Sequence, residues 1–250
     1  YNYLDAPDPT AILPENLRDL ELGYRFANSK FAFELGAYHM QYTNQLIPTG
    51  TISDTGAGIK MNVDESYRQG IEVQAGFKIG NFATWQGNAT ISNNKIIEFT
   101  DIKELGDSVY TFNYYETDIA FSPSLIGASI LTFDVWDGGD LFSDEELDVD
   151  LEFASKYVGK QYLDNTSSDD RALPSYLVHD IVVRCNMMLN GREVGLSIFA
   201  NNVFDQFYSA NGWSYYYLYE NEDGGVNEYN ENYVYPQAGR NGFISLSVKF

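Results

Sequence analysis

The residues with reactive side chains are few and scattered. His39 and His179 sit far apart on separate runs, and no His, Cys, Asp or Glu group has the spacing of a metal site. The acidic stretches at 143–146, 168–170 and 220–223 carry oxygen ligands of the kind Ca²⁺ takes, but none has EF-hand spacing, and they read as solvated loop charge. No nucleophile elbow, phosphate loop or framed carboxylate pair occurs; the run from Ser122 to Gly127, S-P-S-L-I-G, matches no motif. Cys185, the single cysteine, lies in an apolar run and reads as a small hydrophobe rather than a reactive thiol. These residues predict no catalytic group, no metal and no cofactor.

Aromatics are the concentrated resource. The chain of 250 residues holds 20 Tyr, 16 Phe and 3 Trp. They crowd into N-G-W-S-Y-Y-Y-L-Y-E (Asn211 to Glu220) and E-Y-N-E-N-Y-V-Y-P (Glu228 to Pro236). Tyr and Trp offer rigid amphipathic contact area at low entropic cost. Trp213, Tyr215, Tyr216, Tyr217 and Tyr219 are therefore the candidates for a ligand-facing surface. The competing reading is an interfacial aromatic girdle or loop self-packing. A formal charge of −21 excludes nucleic acid as a partner, since little here could neutralise a phosphate backbone.

The elements that must carry these aromatics are strands. Alternation of apolar and polar residues marks about nine of them. They run near 20–26, 31–42, 70–79, 82–91, 124–135, 149–157, 176–189, 194–200 and 243–250. In the third, Ile71, Val73, Ala75, Phe77 and Ile79 share one face against Glu72, Gln74 and Lys78. In the last, Ile244, Leu246, Val248 and Phe250 oppose Ser245, Ser247 and Lys249. No apolar run reaches the roughly 18 to 20 residues of a membrane helix, and Tyr1 to Pro14 has no signal-peptide pattern. Strands that alternate average out in a hydropathy window, so a membrane barrel stays open.

Link lengths alternate as well. Short turns follow the first, third and seventh strands, the last with an Asn-Gly hairpin signal at Asn190 and Gly191. Long polar links follow the second, fourth, sixth and eighth, at about 43–69, 92–123, 158–175 and 202–241. The link at 137–147 is intermediate, with at most a short helical turn at 143–147. An up-and-down meander then gathers every long link at one end, which a membrane barrel does and a soluble β-sandwich rarely does. The inward charges Arg25, Glu72, Lys78, Glu152 and Lys156 are expected to pair with one another or with a lumen plug.

Five stretches together resemble the C-terminal barrel of TonB-dependent outer-membrane receptors. They are P-E-N-L-R-D-L-E-L-G-Y-R-F (Pro14 to Phe26), A-Y-H-M-Q-Y-T-N-Q-L-I (Ala37 to Ile47), N-V-D-E-S-Y-R-Q-G-I-E-V (Asn62 to Val73), L-S-I-F-A-N-N-V-F-D-Q-F-Y (Leu196 to Tyr208) and the terminal R-N-G-F-I-S-L-S-V-K-F. K-Y-V-G-K-Q-Y-L-D-N-T (Lys156 to Thr166) fits as a strand emerging into an outer loop.

The resemblance implies an all-β fold: an antiparallel up-and-down transmembrane β-barrel, of which residues 1–250 are the last nine or so of about 22 strands. Plug domain, TonB box and first strands would lie upstream of Tyr1. It implies residence in the outer membrane of a Gram-negative bacterium, with lipid around the wall. Ile244, Leu246, Val248 and Phe250 resemble the signal read by the barrel-assembly machinery. The implied function is TonB-energised uptake of a scarce ligand, an iron–siderophore, haem, cobalamin or an oligosaccharide, iron chelates being the commonest. This chain would supply wall and outer loops. The alternatives are an adhesion or surface-display barrel without transport, and an outer-membrane enzyme of phospholipase or protease type.

Overall fold

A computed structural model describes residues 12–52, 58–138, 147–189 and 191–249. Fourteen strands follow in order: β1 (Asn16–Ala27), β2 (Phe31–Ile52), β3 (Gly58–Ile79), β4 (Ala83–Leu105), β5 (Ser108–Asp118), β6 (Leu125–Asp137), β7 (Leu147–Val158), β8 (Gln161–Tyr162), β9 (Ala172–Leu173), β10 (Tyr176–Leu189), β11 (Arg192–Asn201), β12 (Ser209–Glu220), β13 (Val226–Pro236) and β14 (Asn241–Val248). Nine form one antiparallel wall, β1-β2-β3-β4-β6-β7-β10-β11-β14, and each is one of the nine strands expected from alternation. The wall is open: among the described residues β1 pairs only with β2, and β14 only with β11.

Cross-strand register shows why the alternation matters. Ile79, Ala83, Phe133 and Leu151 stand opposite one another, and the row continues through Val183, Ile198 and Ile244. A neighbouring row on the same face holds Val149, Cys185, Leu196 and Leu246. The opposite face carries Arg25, Glu34, Gln74, Asn88, Ala128 and Lys156 in register. A slip of one residue would exchange the two faces, so the sequence pins the pairing. The ion pairs on the polar face differ from those expected: Arg25 pairs with Glu34 at 2.7 Å, and Glu152 with Arg184 at 2.7 Å.

The short-turn end is built locally. Asn28 Oδ1 accepts from the backbone N–H of both Lys30 and Phe31 at 2.8 Å. Gly80 at φ +60° and Gly191 at φ +73° take the left-handed conformation their turns need.

Burial runs opposite to that of a soluble sheet. Leu22 is 76% exposed and Leu246 69%, while Ile96 and Leu163 are fully buried. The apolar core lies at the long-link end, where Ile47, Val63, Ile96, Phe99 and Ile119 cluster with Met61 and Tyr114. That corrects the reading of three long links as loops. Strand β2 runs on to Ile52 and β3 already starts at Gly58, β4 continues to Leu105 and turns back as β5, and 202–241 holds the β12–β13 hairpin. Outside a lipid layer these extensions must bury their own apolar side chains, and packing four strand segments against one another does so. The expected turn at 143–147 lies mostly outside the described residues.

Candidate ligand-facing vestibule

The long-link end is bound together by a strap between β7 and β10. It comprises β8, a single 3-10 turn (Asp169–Arg171) and β9. Several of its side chains are almost wholly buried: Leu163, Asn165, Arg171 and Leu173 are all nearly inaccessible. Asn165 bridges two hairpins, its Oδ1 accepting from Ala120 N at 2.9 Å and its Nδ2 donating to Pro48 O at 2.6 Å. Ser167 Oγ accepts from Asp118 N at 2.7 Å. A short Asn or Ser side chain suits these places because it reaches the backbone without filling the gap between hairpins.

Arg171 is the hub. Its Nε donates to Asp164 Oδ2 at 2.6 Å and its Nη2 to Thr166 Oγ1 at 2.8 Å, while Nη1 pairs with Glu228 of β13. The guanidinium lies 4.0 Å from the ring centroid of Tyr216. Lys103 Nζ is 3.7 Å from the same centroid and 3.4 Å from Asp101, and the Tyr216 hydroxyl donates to Asp101. A planar guanidinium suits this position, since it satisfies two acids while stacking on a ring. Burial, then the Asp101 carboxylate, pushes the Tyr216 hydroxyl far above the ordinary tyrosine range, so it acts as a fixed neutral donor. Strap, β4 and the β12–β13 hairpin are thus tied into one body. Asn230 and Asn232 add to the tie by donating to Asp170 O at 3.0 and 2.6 Å.

The hairpin divides the predicted aromatic group by parity. Tyr216, with Ser214 and Leu218, occupies the buried face and belongs to the hub. Trp213, Tyr215, Tyr217 and Tyr219 share the other face, where the last three are 41–50% exposed. Across the ladder Trp213 faces Tyr233, Tyr215 faces Glu231 and Tyr217 faces Tyr229. Trp213 stacks on Tyr233 with centroids 4.4 Å apart, and Tyr217 lies 5.2 Å from Tyr229. Glu231 accepts from the hydroxyls of Tyr229 at 3.1 Å and Tyr233 at 2.6 Å, using both oxygens.

Four of the five aromatic candidates therefore form one surface and the fifth is structural. Arg171, Asp164 and Asp101 were not singled out by spacing. The one available signal was a lone Arg closing the acidic run S-S-D-D-R. Of the acidic stretches, Asp169 is paired with Lys160 at 2.6 Å, Glu220 ends β12 with Glu222 and Asp223 in the turn that follows, and 143–146 fall outside the described residues. Among the described residues no His, Cys, Asp and Glu group could hold a metal.

The histidines are each placed on the wall. His39 Nδ1 meets Gln69 Oε1 at 3.1 Å. His179 Nδ1 meets Ser155 Oγ at 2.8 Å and stacks on Phe153, but no third side chain hydrogen-bonds its ring among the described residues. That pair lacks the orienting group of a nucleophile–base arrangement. Ile244, Leu246 and Val248 stand exposed on the apolar face of β14, and Phe250 lies outside the described residues.

Comparison with known proteins places this architecture. The fold is shared with the ferric yersiniabactin uptake receptor FyuA from Yersinia pestis, at TM-score 0.61 and 18% identity over 94% of this chain and 30% of that one. It is shared with BauA, the ferric preacinetobactin receptor from Acinetobacter baumannii, at TM-score 0.61 and 15% identity over 94% and 29%. The copper transporter OprC gives TM-score 0.62 and 16% identity over 94% and 31%. The chain thus spans about three-tenths of the length of these solved structures. No curated protein sequence matches. The family model described as TonB dependent receptor-like, beta-barrel matches residues 2–203, wall strands β1 to β11 and the strap together. The chain belongs to the TonB-dependent receptor β-barrel family.

Proposed function

We propose that this chain forms the last nine wall strands and outer hairpins of an outer-membrane receptor that imports a scarce ligand with energy delivered by TonB. The observation that carries the reading is the pairing of an exposed apolar wall with an outer end that holds its own buried core. Lipid would cover the rows ending at Ile244 and Leu246, which water would leave exposed at a cost of about 25 cal/mol per Å². The interlocked hairpins then stand above the membrane, held in position to present ligand contacts. The missing wall strands, a plug and the TonB-contacting residues belong to the rest of the receptor, and β14 would carry the signal for the barrel-assembly machinery. The activity proposed is transport.

The test compares bacteria with and without the complete receptor for uptake of labelled ferric citrate, haem, cobalamin and a linear neutral oligosaccharide. Receptor-dependent accumulation of one of them, abolished by a protonophore, is the expected result. Surface binding that a protonophore leaves unchanged, with no accumulation of any, would identify an adhesion or display barrel instead.

A further inference from the structure

The exposed face of the β12–β13 hairpin is built as an extended platform. Trp213, Tyr215, Tyr217 and Tyr219 recur at every second residue, and six residues of strand span about 20 Å. Tyr229 and Tyr233 widen the row from the facing strand. Such a shape fits a ligand that is long and thin rather than a compact chelate.

Its polar chemistry narrows the class. Ser209–Pro236 contains no Lys or Arg, while Glu220, Glu222, Asp223, Glu228 and Glu231 all lie within it. An anionic ligand would meet repulsion there, with no guanidinium to receive it, because Arg171 is spent on the buried side. Glu231 is the one carboxylate of the ladder on this face, and both its oxygens accept tyrosine hydroxyls, so it serves to orient the rings. What remains is a row of aromatic faces edged by hydroxyl, carboxylate and amide groups, Asn227 facing Tyr219 across the ladder. Sugar rings present an apolar C–H face for stacking and a rim of hydroxyls that both donate and accept. A neutral linear glycan matches both features at once.

We propose that the aromatic face of the β12–β13 hairpin is a binding platform for a neutral, linear oligosaccharide. The proposal rests on the receptor reading and names the ligand class of its outer surface. The exposed Tyr215, Tyr217 and Tyr219 supply the stacking faces, Trp213 being stacked on Tyr233; Glu231 fixes the orientation of the Tyr229 and Tyr233 rings.

The complete receptor in detergent, applied to an array of neutral glycans, provides the test. The expected result is binding to a linear neutral glycan that falls by about tenfold or more in Tyr217→Ala and in the more exposed Tyr215→Ala. Tyr217→Phe, which keeps the stacking face, should bind within about threefold of the parent. Heat-modifiable migration on a gel confirms that each variant is folded. Binding to no glycan, or glycan binding unaltered in both alanine variants, overturns the proposal. Retention of a protein partner lost in Tyr217→Ala, without glycan binding, also overturns it. Protonophore-sensitive uptake of a ferric chelate alongside either result would leave the receptor reading standing, whereas absence of all energised uptake would remove the receptor reading.

Discussion

Arg171→Ala is expected to destabilise the outer body by about 3–5 kcal/mol, the cost of removing one partner from a buried ion pair. The reason is geometric. Asp164 is 2% exposed and loses its Nε donor, so a carboxylate is left buried without a cation. Thr166 Oγ1 and Glu228 lose their donors in the same step, and the Tyr216 ring loses its guanidinium neighbour. Arg171→Lys should recover only part of this, because an ammonium cannot serve Nε, Nη1 and Nη2 positions together. Glu228→Gln should be milder, its side chain being 40% exposed and so partly screened. Backbone hydrogen exchange of the strap and the β12–β13 hairpin reads the effect. Faster exchange confined to those segments, with the wall strands unchanged, is expected; unchanged exchange in the hairpin would show that the hub does not hold it.

The second large effect lies at the other end of the molecule. Leu246→Arg should cost about 2–4 kcal/mol if Leu246 sits near the mid-plane of a bilayer. Leu246 is 69% exposed in a row with Leu196, Cys185 and Val149, so an arginine there causes no steric conflict and creates no cavity. Lipid alone would penalise it. Ser247→Arg, on the opposite face beside Gly195, provides the contrast, since a polar lumen receives a cation readily. Folding of the complete receptor into lipid vesicles, followed by heat-modifiable migration, should show a loss for the first and little change for the second. Equal behaviour of the two variants would contradict the assignment of faces.

The wall was legible because its strands obey one rule throughout. Residues such as Ile71, Val73 and Phe77 alternate with Glu72, Gln74 and Lys78, and the register lines these faces up from strand to strand, with a shift at Asp134/Trp136 where β6 meets β7. The outer end was not legible by the same rule. Gln45, Ile47, Ile96 and Phe99 are interspersed with Asn, Lys, Asp and Glu, so their strands read as polar links although they bury a core. Parity, applied to 211–220 as to the wall, would have separated Tyr216 from Tyr215 and Tyr217. The run Y-Y-Y hides that split because all three residues are of one type. The hub itself depends on contacts between residues 57 and 115 positions apart, Arg171 with Glu228 and Asp101 with Tyr216, which no local pattern announces.

The central claim is that one face of this wall meets lipid and the other does not. Its most direct measurement places a nitroxide spin label at 244, 245, 246, 247 and 248 in turn, in the complete receptor in bilayers, with Cys185 and every cysteine of the rest of the receptor replaced by Ala. Collision with apolar oxygen and with a water-soluble nickel chelate is then read at each position. High oxygen and low nickel accessibility at 244, 246 and 248, with the reverse at 245 and 247, is the predicted result. Accessibility without a two-residue period, or nickel access at 246 equal to that at 245, would contradict the account.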